Sequence, residues 1–295
     1  TDDTAAYFFN AASFLKYGNN LKVVRVAGTG AKNATAGTSG AGTGLLIKNR
    51  DHYDTSYSRG EATQGSWAAR YAGALGNAIK VSYVTSETAF DTWEYANLFD
   101  SAPGTSGYAT SKNGSHDEMH IVVVDATGAI TGVADTVLEK FAYVSQASDA
   151  KKFDGTSNYY KNVITNTSSY IWQIDHPTEL TNAGSTAGRV FTTSTTVHSV
   201  TLAGGTDGSA VGAGDIDSAY QVFNDAETID VNLLIGAPTL DGEAGVTQAN
   251  NLLAIASNRN DVIGFVSPPI SATAGSNTPK EDVLAFYNQV GSTSY

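Results

Sequence analysis

The chain has no cysteine among its 295 residues. That absence excludes disulfide bonds, thiolate metal ligands and a cysteine nucleophile, so packing and hydrogen bonds alone must hold the fold. Long apolar runs are missing too. The longest, at 121–124 and 231–235, fall far short of the ~20 residues that a membrane-spanning helix needs. We therefore expect no membrane insertion.

Basic residues are scarce. Seventeen lysines and arginines stand against 29 acidic residues, which gives a net charge of −12. A surface of that charge repels nucleic-acid phosphates, so we expect no direct nucleic-acid partner. Hydrophobic residues make up 41% of the chain, enough to bury the core of one large unit or two smaller ones.

Apolar periodicity predicts both helices and strands. The predicted strands are 21–26, 45–47, 78–84, 119–124, 169–174, 190–193, 197–202, 231–235 and 262–266. The predicted helices are 4–17, 159–167, 216–225, 246–257 and 279–289, the last opening on a capping box at Thr278-Pro279-Lys280-Glu281.

The arrangement of these elements predicts the fold class. The turn at 126–128 predicts an antiparallel hairpin, and the strand-helix alternation after residue 208 predicts a parallel βαβ portion. We expect a mixed α/β (α+β) fold, in which one sheet has both an antiparallel hairpin and a βαβ portion and is flanked by helices. The Gly-, Ser- and Thr-rich segment 28–66 is predicted to be a short surface insertion, and residues 1–27 and 67–295 to form the α/β body.

His116-Asp117-Glu118-Met119-His120 is the most metal-like cluster of the sequence. Two imidazoles four residues apart share a metal ion when a helix places them on one face. Here His120 begins a predicted strand and His116 lies in a Gly- and Ser-rich loop. We therefore predict no metal site.

Two glycine-rich loops have the composition of a phosphate-binding loop. The loop 37–44 is followed by a strand and lacks a Lys-Ser or Lys-Thr pair, so we interpret it as a flexible loop. The loop 204–208 precedes a predicted helix, and we interpret it as a turn with glycines at positive φ. Asp215 and Asp217 are predicted to cap the helix that follows.

Catalysis by a serine or histidine has little support in the sequence. Ser66, His176 and His198 have no sequence neighbours that suggest activation, and no Gly-x-Ser-x-Gly elbow is present. A triad assembles from distant positions, so the sequence leaves this chemistry open. The aromatic run Tyr7-Phe8-Phe9 is predicted to be ordinary core. We predict no catalytic, cofactor-binding or metal-binding residues.

Five segments, in order, resemble the tail sheath proteins of contractile phages, the T4-like ones in particular. They are the helix, Gly18-Asn19 turn and Val23-Val24-Arg25 strand of 6–26, the Leu75-Gly76-Asn77 turn of 71–81, the Leu-Ala-Gly-Gly turn of 202–208, the strand 229–235, and 259–269 with Arg259, Asp261 and Pro268-Pro269. Ala72 stands where the family often has proline. Segment 28–66 is short where relatives insert an extra β-domain, which puts an outer decorating domain in doubt.

The resemblance implies a structural subunit of the virion tail. Such subunits stack as hexameric rings into a helical sheath around a tail tube, then contract and drive the tube through the host envelope. The implied partners are other copies of the chain, the tail tube protein, and the baseplate and tail terminator proteins, with assembly in the host bacterial cytoplasm and no cofactor. The resemblance also implies a fragment, and we expect further sequence beyond both ends.

Two alternatives remain open at this point. The same resemblance fits the sheath of a bacteriocin or of a secretion-type contractile injection system. From a different class, the Thr-, Ser- and Gly-rich acidic composition also fits a secreted α/β hydrolase or binding protein, which would need a pocket with convergent polar groups.

Overall fold

The computed structural model describes residues 2–37, 41–60, 63–236 and 238–291. The helices are α1 (Asp2–Phe14), α2 (Arg50–Ser56), α3 (Glu87–Phe90), α4 (Gly107–Ser111), α5 (Tyr160–Thr167), α6 (Ala213–Tyr220), α7 (Gly242–Arg259) and α8 (Pro279–Gln289). The strands are β1 (Trp67–Ala69), β2 (Ile79–Val84), β3 (Glu118–Asp125), β4 (Thr136–Ser145), β5 (Ile171–Gln173), β6 (His198–Thr201), β7 (Leu233–Ile235) and β8 (Ile263–Phe265). Two compact units result: a central unit, 30–208, and a terminal unit made of 1–29 and 209–295.

The central unit is built on a four-stranded antiparallel sheet in the order β4-β3-β2-β6. Strand β3 lies inside this sheet and is buried on both faces. Ile121 and Val123 belong to one hydrophobic cluster, and Val122 and Val124 to another. Burial on both faces explains why the segment is a continuous run of β-branched residues and not an alternating pattern.

The turn that joins β3 to β4 is organised by one carboxylate. Asp125 accepts backbone N–H hydrogen bonds from Gly128, Ile130 and Thr131 at 2.9, 2.9 and 2.7 Å. Gly128 has a φ of +77°, which an L side chain rarely adopts. The predicted antiparallel hairpin is confirmed, with β4 pairing to β3 from Thr136 onward.

A second antiparallel pair, β1 with β5, packs against residues 45–53, which precede β1 in the chain. Tyr53 of α2 stacks on Trp172 of β5 with ring centroids 4.5 Å apart, and its hydroxyl donates to the Gln173 carbonyl at 2.5 Å. Leu45 and Ile47 are buried in the same cluster. The surface position expected for 28–66 is therefore wrong for these residues, because the β1–β5 pair presents an aromatic face that they cover. The limits predicted for the α/β body, 1–27 and 67–295, and for the insertion, 28–66, stay a prediction.

The terminal unit contains the predicted βαβ portion, which is confirmed. Strands β7 and β8 pair in parallel and α7 connects them. Leu252 and Ile255 of α7 pack on Leu234 in one cluster. Gly264 lets the helix approach the sheet, since a Cβ there would lie 3.0 Å from the Leu252 Cδ2 atom.

The mixed fold class is confirmed, but its antiparallel and parallel pairs lie in separate sheets, not in one. Three predicted strands are wrong: 21–26 has no strand partner in the described chain, and 45–47 and 190–193 each form only an isolated bridge. A β-branched sequence favours extended backbone but cannot supply a neighbouring strand. Helix α8 begins at Pro279 as predicted, but Thr278 caps no backbone N–H, so the predicted capping box is wrong. No helix in the described ranges combines the length and apolarity needed to cross a membrane.

Candidate functional site

The two imidazoles of the metal-like cluster point to different surroundings. His116 is exposed in a loop at a φ of +60°. His120 is fully buried in β3, where its Nε2 atom lies 2.9 Å from the Ser101 carbonyl and its Nδ1 atom accepts the Tyr143 N–H at 3.0 Å. Its ring stacks on Phe99 at 4.3 Å. Both ring nitrogens are thus used by the fold, and no group of three or more metal-ligating side chains occurs in the part of the chain that the structure describes.

The buried histidines predict how stability depends on pH. Burial lowers the pKa of His120 below its ordinary value of 6.5, and burial together with nearby Lys161 lowers the pKa of His176. A histidine with a lower pKa in the folded than in the unfolded state gives its full stabilisation above pH 6.5. That stabilisation is lost as the pH falls through the folded-state value. We expect the free energy of unfolding to be level near neutral pH and to decline below it.

Urea denaturation between about pH 8 and about pH 5 measures this decline. His120→Gln should weaken the pH dependence, because glutamine has no proton to take up in this range. His116→Asn is the matched control, since His116 is exposed and asparagine tolerates positive φ. An undiminished decline in the His120 variant would contradict the assignment.

The glycine-rich loops act as structural turns. Gly204 and Gly208 have φ values of +76° and +81°, as predicted for a turn. Gly44 lies at +75° against Gly204. Of the loop 37–44, residues 38–40 lie outside the described residues. Asp215 caps α6 as predicted by accepting the Gly212 N–H at 3.0 Å. The cap predicted for Asp217 is wrong, because its carboxylate accepts from the side chain of Gln221, just beyond the end of α6.

One cleft of about 280 Å³ in the central unit brings together residues that the sequence left apart. Ser66, His176 and His198 all line it. The remaining lining residues are Ala36, Gly37, Gly65, Trp67, Tyr83, Asp175, Thr178, Glu179, Ser199 and Val200. This grouping could not be predicted from the sequence, because it depends on the pairing of β1 with β5 and of β6 with β2. No local sequence pattern indicates either pairing.

His198 has the neighbours of a catalytic triad but not the full arrangement. Its Nε2 atom lies 2.7 Å from the Ser194 hydroxyl, and its Nδ1 atom lies 3.1 Å from Glu179 Oε1. That carboxylate oxygen has no hydrogen-bond partner among the described residues, so its approach to His198 lacks hydrogen-bond geometry. Ser194 is not a cleft residue, and its hydroxyl accepts the Thr196 N–H at 3.2 Å in the turn before β6. The geometry orients His198 without directing a nucleophile into the cleft.

His176 is held between two tyrosine hydroxyls. Tyr160 lies 2.5 Å from Nδ1 and Tyr159 3.2 Å from Nε2. Burial raises the pKa of Tyr159 to about 12 and raises the pKa of Tyr160 well above its ordinary value, so both hydroxyls keep their protons at neutral pH. The Tyr160 hydroxyl also accepts from Gln173 Nε2 at 3.1 Å. Both ring nitrogens of His176 are therefore engaged in hydrogen bonds with tyrosine hydroxyls, and neither is available as a general base.

The terminal unit exposes more large apolar side chains than the central unit does. The aromatic run Tyr7-Phe8-Phe9 on α1 is exposed, so its assignment to the core is wrong. The periodicity of a helix marks an apolar face but not what covers it. Further exposed apolar residues of this unit are Leu15, Tyr17, Val23, Val222, Leu233, Ile235, Ile263, Phe265, Ile270, Leu284 and Tyr287. Contiguous exposed apolar surface marks a site of interaction with another protein or segment.

Comparison with known proteins finds a similarity to a phage tail protein. No protein-family model matches the chain. A stretch of 136 residues is 38% identical to the tail sheath protein of Salmonella phage ViI, and covers 46% of this chain and 19% of that protein. The match thus spans about a fifth of the length of this curated relative. It supports, over part of the chain, the resemblance to tail sheath proteins that the five sequence segments indicated.

Proposed function

We propose that this chain is a structural subunit of a contractile tail sheath in a phage virion. In this role, copies of the chain assemble as stacked hexameric rings around a tail tube, with baseplate and tail terminator proteins at the two ends. Contraction repacks the contacts between subunits and drives the tube through the host envelope. The role requires neither a catalytic residue nor a cofactor.

The similarity to the ViI tail sheath protein carries this proposal. The terminal unit supports it physically, because a subunit that functions only within an assembly keeps apolar side chains exposed until its neighbours cover them. The cleft of the central unit lends no competing support, since both of its imidazoles are held by neighbouring side chains.

Negative-stain electron microscopy of the chain, alone and with the tail tube protein from the same genome, tests the proposal. We expect rings or hollow tubes whose averaged end views have six-fold symmetry. Sedimentation velocity over a range of concentrations supplies an independent measure of assembly. Particles that remain monomeric at every concentration, with and without the tube protein, would refute it. The genes flanking the coding sequence separate a phage from a bacteriocin or secretion-type system, which shares the same assembly.

The contact between Ser194 and His198 gives a test of the hydrolase alternative. A fluorophosphonate probe labels serines that an adjacent base activates. We expect no labelling of this chain, because the Ser194 hydroxyl is engaged in its turn and lies outside the cleft lining. Labelling that disappears in Ser194→Ala and persists in the control Ser199→Ala would favour a hydrolase.

A further inference from the structure

The cleft of the central unit combines apolar residues with two carboxylates. Trp67, Tyr83 and Val200 contribute the larger apolar side chains of its lining, and Asp175 and Glu179 contribute the carboxylates. No lysine or arginine lines the cleft among the described residues. All of the lining residues belong to the central unit, so a single chain contains the whole lining.

The imidazoles and two of the hydroxyls that line the cleft are used within the fold. Both ring nitrogens of His176 contact tyrosine hydroxyls, and the Nε2 atom of His198 contacts a serine hydroxyl. The Ser199 hydroxyl lies 2.7 Å from another serine hydroxyl, and the Thr178 hydroxyl donates to Glu179 at 3.2 Å. The charged groups left for a ligand are therefore the two carboxylates, and they favour a cation.

The two carboxylates keep unused acceptor capacity. Asp175 accepts the His176 N–H on Oδ1 at 2.8 Å, and no hydrogen bond or ion pair within the described ranges reaches its Oδ2 atom. Glu179 has a buried Oε1 atom without a hydrogen-bond partner in the same ranges. The charge of Lys161 acts on Asp175, but Lys161 does not line the cleft. A partly buried carboxylate is stabilised when a cation or an N–H donor lies beside it.

We propose that this cleft binds a small aliphatic amine through its protonated amino group. The ammonium group is held by Asp175 and Glu179, and the methylene groups of the amine pack on the apolar residues of the lining. The volume of about 280 Å³ is at the lower end of the range for ligand sites, which restricts the amine to a few carbon atoms. A nucleobase would need an exposed aromatic face, whereas Trp67 and Tyr83 are only 1% and 5% exposed. The inference goes beyond the proposed function and does not rest on it.

Ligand-observed NMR with putrescine, a four-carbon diamine, tests the site. The titration is made at low salt and about pH 8, where an aliphatic amine keeps its proton. We expect a dissociation constant of about 1 mM for putrescine. The diol of the same chain length is the matched control ligand, since it has the same methylene groups without the charge, and we expect it not to bind. Equal binding of the amine and the diol, or binding of neither, would overturn the inference.

Two isosteric variants locate the amine in the cleft. Asp175→Asn and Glu179→Gln each remove one charge but keep a side-chain oxygen for the hydrogen bond made within the fold. Each should weaken putrescine binding by about tenfold. Asp100→Asn is the matched control, because Asp100 is an exposed carboxylate of the same unit outside the cleft. Undiminished binding in both cleft variants would place the amine elsewhere and refute the site.

Lys161→Met gives a second, independent measurement with the opposite sign. The substitution removes a positive charge that acts on Asp175 and retains an unbranched side chain. Putrescine should then bind about threefold more tightly, because the ammonium group no longer competes with a second cation for that carboxylate. Unchanged or weaker binding in this variant would contradict the assignment of Asp175 as a partner of the amine.

Discussion

Gly204→Ala is expected to lower the unfolding free energy of the central unit by about 3 kcal/mol. Gly204 adopts a φ of +76°, which strains a residue with a Cβ. A Cβ at this position would also lie 2.5 Å from the Gly44 amide nitrogen and 2.7 Å from the Gly42 carbonyl oxygen. Both neighbours are backbone atoms, so no side chain can rotate away. Urea denaturation followed by tryptophan fluorescence measures the loss, because all three tryptophans lie in this unit.

Gly30→Ala is the matched control for that prediction. Gly30 has a similar φ of +82°, but a Cβ there would meet nothing within 4 Å. Alanine at this position introduces only backbone strain, which should lower the unfolding free energy by about 1 kcal/mol. Equal losses in the two variants would mean that the close approach of the Gly42–Gly44 backbone to Gly204 contributes nothing to stability.

The strands of the central sheet could be predicted from residue type, but their partners could not. Strand β3 is apolar at successive positions because both of its faces are buried, and that pattern is visible in the sequence. The pairing of Val81 with Val200, or of Ala68 with Trp172, joins positions about a hundred residues apart. Periodicity specifies which face of a strand is buried, not which strand lies beside it.

The candidate sites were predictable to a smaller degree. The glycine turn at 204–208 was predicted from residue type, because only glycine adopts positive φ without strain. The cleft was not, since Ser66, His176 and His198 come from three separate segments that long-range pairing brings together. The exposure of Phe8 and Phe9 was also missed, because an apolar helical face looks the same whether it is covered by its own chain or by another.

The same substitution at two isoleucines separates a fold position from an assembly position. Ile121→Ala removes buried contacts in β3, where the side chain is fully inaccessible, and should cost the central unit about 3 to 4 kcal/mol. Ile263→Ala, at an exposed position of β8, should change the stability of the terminal unit by less than about 0.5 kcal/mol. Urea denaturation is followed by fluorescence for the first variant and by circular dichroism for the second.

Ile263→Ala, which has the smaller effect on stability, is expected to have the larger effect on self-association. Ile263→Ala should leave a folded chain that associates only at higher concentration, because the missing side chain weakens the contact between copies and not the fold. Sedimentation velocity measures this on the variant that denaturation has shown to be folded. Association equal to that of the unmodified chain would mean that β8 stays exposed in the assembly. The apolar exposure of the terminal unit would then require an occupant other than a second copy.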